Sequence, residues 1–146
     1  MSRIDDAARL FGEGHACSQA VLIAFAPLVD LDRSEALRVS AGFAAGMRQG
    51  QICGAATGAI MVLGLALCDN SCATREGRAG IASDVDTFMS RFRGRVGAVD
   101  CPDIMGMDVR SPQGRAAAQE QGLFVSRCLP AVCAAAEILD DMLDGS

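Results

Sequence analysis

Seven cysteines give this chain most of its reactive chemistry, and four of them share one position. A helix is predicted to start at each of these four: Cys17, Cys53, Cys101 and Cys128. The first turn of a helix has unpaired N–H groups and the positive end of the helix dipole, so it favours a thiolate over a thiol. Thiolates attack disulfides and bind soft metal ions. The pattern therefore predicts thiol or thiolate–metal chemistry.

The residues alone leave three interpretations of the four cysteines open. They converge in pairs and cycle between dithiol and disulfide, which needs Cα atoms within about 7 Å. Alternatively, all four bind one zinc ion or iron–sulfur centre, although no Cys-x-x-Cys pair is present. In the third, they pack inside a non-catalytic interaction module. We favour the first, with Cys53 as the nucleophile because its helix is predicted to be the most buried and Gly54 leaves its sulfur accessible.

The other three cysteines are expected to have lesser roles. Cys68 and Cys72 are four residues apart around a polar break. They could form a surface disulfide or an accessory metal pair, but unpaired surface thiols are the favoured interpretation. Cys133 follows Cys128 by five positions, so it points to a different side of the same helix and is predicted to be a core cysteine.

Polar residues beside Cys17 are the candidate accessory groups. His15 is the only histidine and lies two residues before Cys17. It could stabilise the thiolate, donate a proton or bind a metal, but a loop histidine without a role is favoured. Ser18 and Gln19 could hydrogen-bond a sulfur, and Gln19 could equally cap the helix. A metal site with several histidines is impossible here.

The uncharged stretch 50–68 is the element predicted to position these groups. Gly54 and Gly58 are four residues apart and so share one helix face, which would let another backbone approach closely. Residues 42 and 46 repeat the glycine spacing. These faces could pack within one chain or across a homodimer. We predict a central helix from about 53 to 67 that is buried all round.

Apolar periodicity and capping residues predict an all-α protein in a single domain, 1–146. Asp32, with Glu35 as its capping-box partner, should start a helix that frays near Gly46. Ser71 or Thr74 should cap a long amphipathic helix, and prolines should open helices near 102 and 112. Further helices are predicted at 3–12, about 15–26 and 128–143. We expect a bundle of five or six helices with short connections.

Composition excludes several function classes. All 13 basic residues are arginine, so Schiff-base and P-loop lysines are absent. The net charge of −5 gives no support for nucleic-acid binding, and the cluster at 91–95 is interpreted as a solvated helix end. The apolar stretch 52–68 is short for a membrane span and contains three glycines. No export signal is visible, so a cytoplasmic protein is expected.

Several segments resemble the C-GCAxxG-C-C family. The segment 14–21, Gly-His-Ala-Cys-Ser-Gln-Ala-Val, resembles the start of its pattern, and 53–58, Cys-Gly-Ala-Ala-Thr-Gly, is similar to its core motif. Cys101 with the Ile-Met-Gly-Met-Asp of 104–108 resembles its third cysteine, and Cys128 resembles the fourth. Order and spacing match from about residue 5 to 143. The additional cysteines at 68, 72 and 133 depart from the family pattern.

The resemblance implies a small helical, redox-active protein, for which an iron–sulfur prosthetic group has been suggested. It implies no particular reaction, so an enzyme is uncertain and an oxidoreductase acting through cysteine thiols is the expectation. The cofactor is unknown: none for the dithiol interpretation, zinc or an iron–sulfur cluster for the other. The expected partner is a redox protein or a small thiol or disulfide.

Overall fold

The computed structural model describes residues 2–144, which form eight α-helices. The all-α prediction is confirmed, but the number of five or six helices is wrong because several short helices form separate elements. The helices are α1 (Arg3–Gly12), α2 (Cys17–Phe25), α3 (Arg33–Ser40), α4 (Gly54–Leu67), α5 (Ala79–Val96), α6 (Cys101–Met105), α7 (Pro112–Glu120) and α8 (Leu129–Asp144).

Local capping explains where several helices begin. The Asp32 carboxylate accepts hydrogen bonds from the N–H groups of Ser34 and Glu35 at the start of α3. The Ser111 hydroxyl accepts one from Gly114 at the start of α7, at 3.0 Å. Prolines occupy the first turns of α6 and α7, where a missing N–H leaves no helical hydrogen bond unmade. Helices α3, α6 and α7 therefore begin where the sequence predicted.

The segment after α3 differs from its prediction. The helix ends at Ser40, short of Gly46, and continues as a 3₁₀ turn to Phe43. Four successive residues, 45–48, then adopt the left-handed region, with φ between 54° and 62°. Residues 42 and 46 therefore form no helix face. At Gly46 an added Cβ would collide with the backbone of Gln51.

The start of α5 and the burial of α4 are also corrected. Thr74 and Ser71 do not cap α5, because they belong to a separate turn in which the Thr74 hydroxyl accepts the N–H of Gly77 at 3.0 Å. The first ten residues of α4 are mostly buried, whereas its last three residues are exposed to solvent. Leu65 and Leu67 are 46% and 50% exposed, so burial all round was wrong there.

Two apolar clusters make up the core of the described chain. The larger joins α1, α2, α4, α5 and α8, and its largest fully buried side chains include Phe25, Phe88 and Phe92. The smaller is built on Met105, Val109 and Ala118, from α6, α7 and the loop between them. Cys53 is a member of the larger cluster, whereas Cys101 and Cys128 pack against the smaller one. The cysteines thus lie where the clusters adjoin.

The basic cluster near the end of α5 faces acidic residues of α8. Arg91 pairs with Asp141 at 2.6 Å, and Arg95 pairs with Glu137 at 2.5 Å. Between residues 2 and 144, no single helix has the combined length and apolar character of a membrane span. A bent pair, Pro112–Glu120 with Phe124–Leu143, reaches that length and composition together, with an angle of 79° between its halves.

Candidate thiol site

A short antiparallel contact brings the starts of α4 and α6 together. The N–H of Cys53 donates to the carbonyl of Val99 at 2.7 Å, and the N–H of Cys101 donates to the carbonyl of Gln51 at 2.8 Å. Ile52 and Asp100 form the bridge between these two bonds. Since side chains alternate along extended backbone, this pairing places Cys53 and Cys101 on the same face.

Two glycines let the start of α2 pack directly on α4. A Cβ added at Gly54 would lie 2.6 Å from the Sγ of Cys17, and one added at Gly58 would lie 2.8 Å from the carbonyl oxygen of Ser18. The thin helix face predicted at these glycines is therefore confirmed, and its partner belongs to the same chain. Gly54 makes room for the sulfur of Cys17, whereas the sequence suggested that it exposes Cys53.

Cys17 and Cys53 form the central pair of the site. The Sγ of Cys17 lies against the first turn of α4, which begins directly after Cys53, since a Cβ added at Gly54 would be 2.6 Å from it. Hydrogen bonding with Cys53 is the largest cause of a lowered pKa at Cys17; the backbone N–H groups of Ser18, Ala55 and Gly54 also lower it, and burial opposes them. Two helix starts thus surround one sulfur with N–H groups, and Cys17 is the preferred thiolate.

The pKa of Cys53 is shifted in the opposite direction. Its hydrogen bond to Cys17, its burial and the nearby charge of Cys17 raise its pKa well above the ordinary thiol value. Cys53 is 7% exposed, while Cys17 is partly exposed. The position of Cys53 before α4 thus does not compensate for its burial and the neighbouring charge, and its thiolate is disfavoured.

Cys101 and Cys128 are neutral thiols at neutral pH. Burial, with the charge of Cys17 next, raises the pKa of Cys101 to about 11 and that of Cys128 to about 12. The Sγ of Cys128 lies 3.0 Å from the Sδ of Met105. Cys101 is the first residue of α6, and Cys128 immediately precedes α8. Cys17, Cys53 and Cys101 stand at helix starts as predicted, whereas Cys128 ends a π-helical turn, Phe124–Cys128, that continues directly into α8, so its predicted helix start is wrong. Of the four, only Cys17 has a lowered pKa.

The four thiols have the donor chemistry for zinc or an iron–sulfur cluster, but their arrangement does not fit such a group. Cys17 and its three neighbours influence one another's ionisation. Nevertheless, within the part of the chain that the structure describes, no three His, Cys, Asp or Glu side chains are placed to hold a metal ion. We therefore derive no chemical step through a metal.

The polar residues beside Cys17 position the backbone. The Nδ1 of His15 is hydrogen-bonded to the carbonyl of Leu10 at 3.0 Å, which ties the α1–α2 turn together. The Oε1 of Gln19 accepts the N–H of Ala16 at 3.0 Å, so Gln19 takes the capping role. The buried hydroxyl of Ser18 donates to the carbonyl of Ser40 at 2.8 Å. Ser18 thereby fixes α2 against α3 directly after Cys17.

The remaining cysteines differ from their predictions. Cys68 and Cys72 form a disulfide, with Cα atoms 5.9 Å apart, so the interpretation as unpaired thiols was wrong. A 3₁₀ turn, Asn70–Ala73, follows α4 and folds Cys72 back towards Cys68. Cys133 is only half-buried, so it is not the core cysteine that its helical position suggested.

Sequence comparison supports the same four-cysteine pattern. The model of the family described as "Putative redox-active protein (C_GCAxxG_C_C)" matches residues 15–142, which include Cys17, Cys53, Cys101, Cys128 and the glycines of α4. No curated protein and no solved structure matches the chain significantly.

Proposed function

Because this chain belongs to the C_GCAxxG_C_C family, which is described as redox-active, we propose that it is a thiol–disulfide oxidoreductase. Cys17 is the attacking thiolate and Cys53 the resolving thiol. The observation that carries this proposal is the packing of the Cys17 sulfur against Gly54, the residue directly after Cys53, where an added Cβ would lie 2.6 Å from it. The lowered pKa of Cys17, with Cys53 as its largest cause, supports the same pair. The substrate is a disulfide of a partner protein or of a small molecule.

The first step is attack by Cys17 on the substrate disulfide. A bond forms between the Sγ of Cys17 and one substrate sulfur, the substrate S–S bond breaks, and the second substrate sulfur leaves as a thiolate that takes a proton from solvent. Thiolate is the attacking species in such exchange. Cys17 suits this role because its pKa is lowered by Cys53 and by the backbone N–H groups of Ser18, Ala55 and Gly54.

The second step is resolution by Cys53. In the mixed disulfide Cys17 has no charge and no longer accepts a hydrogen bond as a thiolate, so the leading cause of the raised pKa of Cys53 is removed. Cys53 then releases its proton and attacks the Sγ of Cys17, and the remaining substrate sulfur leaves and takes up a proton. Two electrons pass to the substrate, and Cys17 and Cys53 become a disulfide.

The other two thiols of the site do not compete for the first attack. With pKa values of about 11 and about 12, Cys101 and Cys128 are protonated at neutral pH. Their neutral state keeps negative charge away from Cys17, and a further negative charge beside Cys17 would destabilise its thiolate.

The pH profile of Cys17 alkylation tests the proposal, with two replacements of its donor. Cys53→Ala removes the donated hydrogen bond, whereas Cys53→Ser keeps a hydroxyl donor of similar size. A hydrogen bond to a charged group stabilises it by about 1.5–3 kcal/mol. We therefore expect Cys53→Ala to lower the thiolate fraction of Cys17 at neutral pH about tenfold or more, and Cys53→Ser to have a smaller effect.

Peptide mass spectrometry after brief iodoacetamide treatment at several pH values gives the pH profile of alkylation for each cysteine separately. If Cys17 is alkylated no faster than Cys101 or Cys128 at neutral pH, Cys17 is not the thiolate of the site. If Cys53→Ala and Cys53→Ser leave its profile unchanged, the hydrogen-bonded pair does not exist in solution. Either outcome contradicts the proposed function.

A further inference from the structure

A second sulfur pair lies at the opposite end of α4 from the thiol site. Cys53 immediately precedes the helix, and Cys68 immediately follows it and is bonded to Cys72. The helix has 14 residues, so its ends are about 21 Å apart at 1.5 Å per residue. Direct exchange between the two sulfur pairs of one molecule is therefore excluded by distance.

The turn that contains this disulfide is held by hydrogen bonds that do not involve sulfur. The N–H of Cys72 donates to the carbonyl of Asp69 at 3.0 Å, and the N–H of Ser71 donates to the Asp69 carboxylate at 2.8 Å. The Nη1 of Arg78 donates to the carbonyl of Cys72 at 3.1 Å. These bonds can persist when the S–S bond is broken, so the two thiols stay close together in the reduced protein.

The disulfide is also poorly placed to act as a structural cross-link. It closes a loop with a sequence separation of only four residues, and the stabilisation from a cross-link decreases as the closed loop becomes shorter. Both cysteines are partly exposed. The last turn of α4 beside them presents Leu65 and Leu67 to solvent, at 46% and 50% exposure. An external reagent can therefore reach this bond.

From these observations we propose that Cys68–Cys72 is a second redox site, an exchangeable disulfide that accepts two electrons from an external dithiol. A thiolate of the dithiol attacks one sulfur of the pair, which breaks the Cys68–Cys72 bond and forms a mixed disulfide. The second thiol of the donor then attacks its own bonded sulfur. The donor leaves as a disulfide, and its two thiol protons end on Cys68 and Cys72.

This inference does not depend on the reaction proposed for Cys17 and Cys53, because it uses different residues at a different end of the fold. The two are separated with two double variants, Cys17→Ser/Cys53→Ser and Cys68→Ser/Cys72→Ser. The first keeps the exchangeable disulfide and lacks the central pair. The second keeps the central pair and lacks the exchangeable disulfide.

The experiment is an equilibrium titration with mixtures of reduced and oxidised dithiothreitol. Thiols are trapped with a mass label without denaturant, and peptide mass spectrometry reads Cys68 and Cys72 separately from the other cysteines. Circular dichroism of the same samples verifies that the helices are intact. We expect both residues to pass together from unlabelled to fully labelled while the helical signal is unchanged, in the native chain and in Cys17→Ser/Cys53→Ser.

Three outcomes would overturn the inference. The pair could remain unlabelled in excess dithiothreitol until the protein is unfolded, which would make it a structural bond. The helical signal could be lost in step with labelling, which would make the bond a requirement of the fold. Finally, both thiols could be labelled even in the most oxidising mixture, in which case no disulfide forms.

Discussion

At the scale of residues, Cys17 and Cys53 differ in reactivity because of what surrounds each sulfur. The pKa of Cys17 is lowered by Cys53 and by the backbone N–H groups at the starts of α2 and α4. Cys53 is buried, and the thiolate beside it disfavours a second negative charge. In the proposed reaction, Cys17 therefore attacks first, and Cys53 attacks only after Cys17 has reacted.

Thiol ionisation should make the protein less stable at alkaline pH. The folded protein raises the pKa of Cys128 from 9.0 to about 12, so above pH 9 the unfolded chain loses a proton that the folded chain keeps. The stability that comes from the neutral thiol of Cys128 is fully present below the pKa of this thiol in the unfolded chain. It is lost as the pH rises towards the pKa in the folded chain. For Cys128 the slope is at most about 1.4 kcal/mol per pH unit, since only one proton differs between the folded and the unfolded chain.

Urea unfolding under reducing conditions at several pH values checks this prediction. Cys128→Ser carries a group that does not ionise, so its stability should fall less steeply between pH 9 and about 11 than that of the native chain. Cys133→Ser is the control, because Cys133 is half-buried and should contribute less. An equally steep decline in the native chain and in Cys128→Ser would contradict the assigned burial of this thiol.

Most of the helix starts that carry cysteines could be predicted from the sequence, but the direction of each thiol's pKa shift could not. Helix starts follow from local signals such as capping residues and prolines, and these correctly placed Cys17, Cys53 and Cys101. Cys128 was misplaced, because the helix that contains it begins several residues earlier, with a π-helical turn over Phe124–Cys128. The ionisation of each thiol depends on burial and on segments distant in sequence. The N–H groups of Gly54 and Ala55 act on Cys17, for example, and no spacing along the chain reveals that contact.

At the scale of elements, the glycines of α4 determine how closely α2 can approach. Gly54→Ala should destabilise the protein by about 1–3 kcal/mol through overpacking, because the new methyl would lie 2.6 Å from the sulfur of Cys17. Gly58→Ala should have a similar cost against the backbone of Ser18. Gly64 on the same helix has no atom within 4 Å of an added Cβ, so Gly64→Ala should stabilise by about 0.5–1 kcal/mol.

Urea unfolding of the three glycine variants gives the comparison. The account requires opposite signs for Gly54→Ala and Gly64→Ala, since both replace a helical glycine with the same residue. If all three variants were stabilised, the close approach of α2 to α4 would be wrong.

The left-handed run 45–48 is the second element with a measurable energetic effect. Arg48 has φ 61°, and a non-glycine residue in this region costs about 1–2 kcal/mol. Arg48→Gly should therefore stabilise the protein by about 1 kcal/mol. Arg38→Gly in α3 should destabilise it by a similar amount.

These two arginine variants are closely matched. Each loses one side-chain hydrogen bond of 3.3 Å to a backbone carbonyl, from Arg48 to Arg110 and from Arg38 to Ser34. Their difference in unfolding free energy then reports the backbone conformation. Equal destabilisation by both would contradict a left-handed Arg48.

The sequence predicted regular helices better than the segments between them. The pattern of small residues at 42 and 46 suggested a helix face, whereas the backbone turns left-handed there. Three of the four residues in that run are not glycine, so local preference argues against the conformation that tertiary packing imposes. The turn after α4 was similarly missed, because its hydrogen bonds join side chains to backbone across several residues.

At the scale of the whole molecule, the described helices bring four chain segments together around Cys17 and Cys53. The antiparallel contact of 51–53 with 99–101 fixes α4 against α6, and the glycine face fixes α4 against α2. The all-α class was predictable from composition and periodicity. The convergence of the cysteines could only be supposed from their shared helix-start position, because the contacts that produce it are all long-range.

Disulfide mapping of the oxidised protein tests the central claim most directly. The Cys68→Ser/Cys72→Ser variant is fully reduced and then treated with one equivalent of the thiol oxidant diamide. The remaining thiols are blocked, and the protein is digested. Mass spectrometry then identifies which peptides are linked. We predict a bond between Cys17 and Cys53, with Cys101 and Cys128 blocked as free thiols. Bonds from Cys17 or Cys53 to other cysteines, or no bond at either residue, would contradict the account.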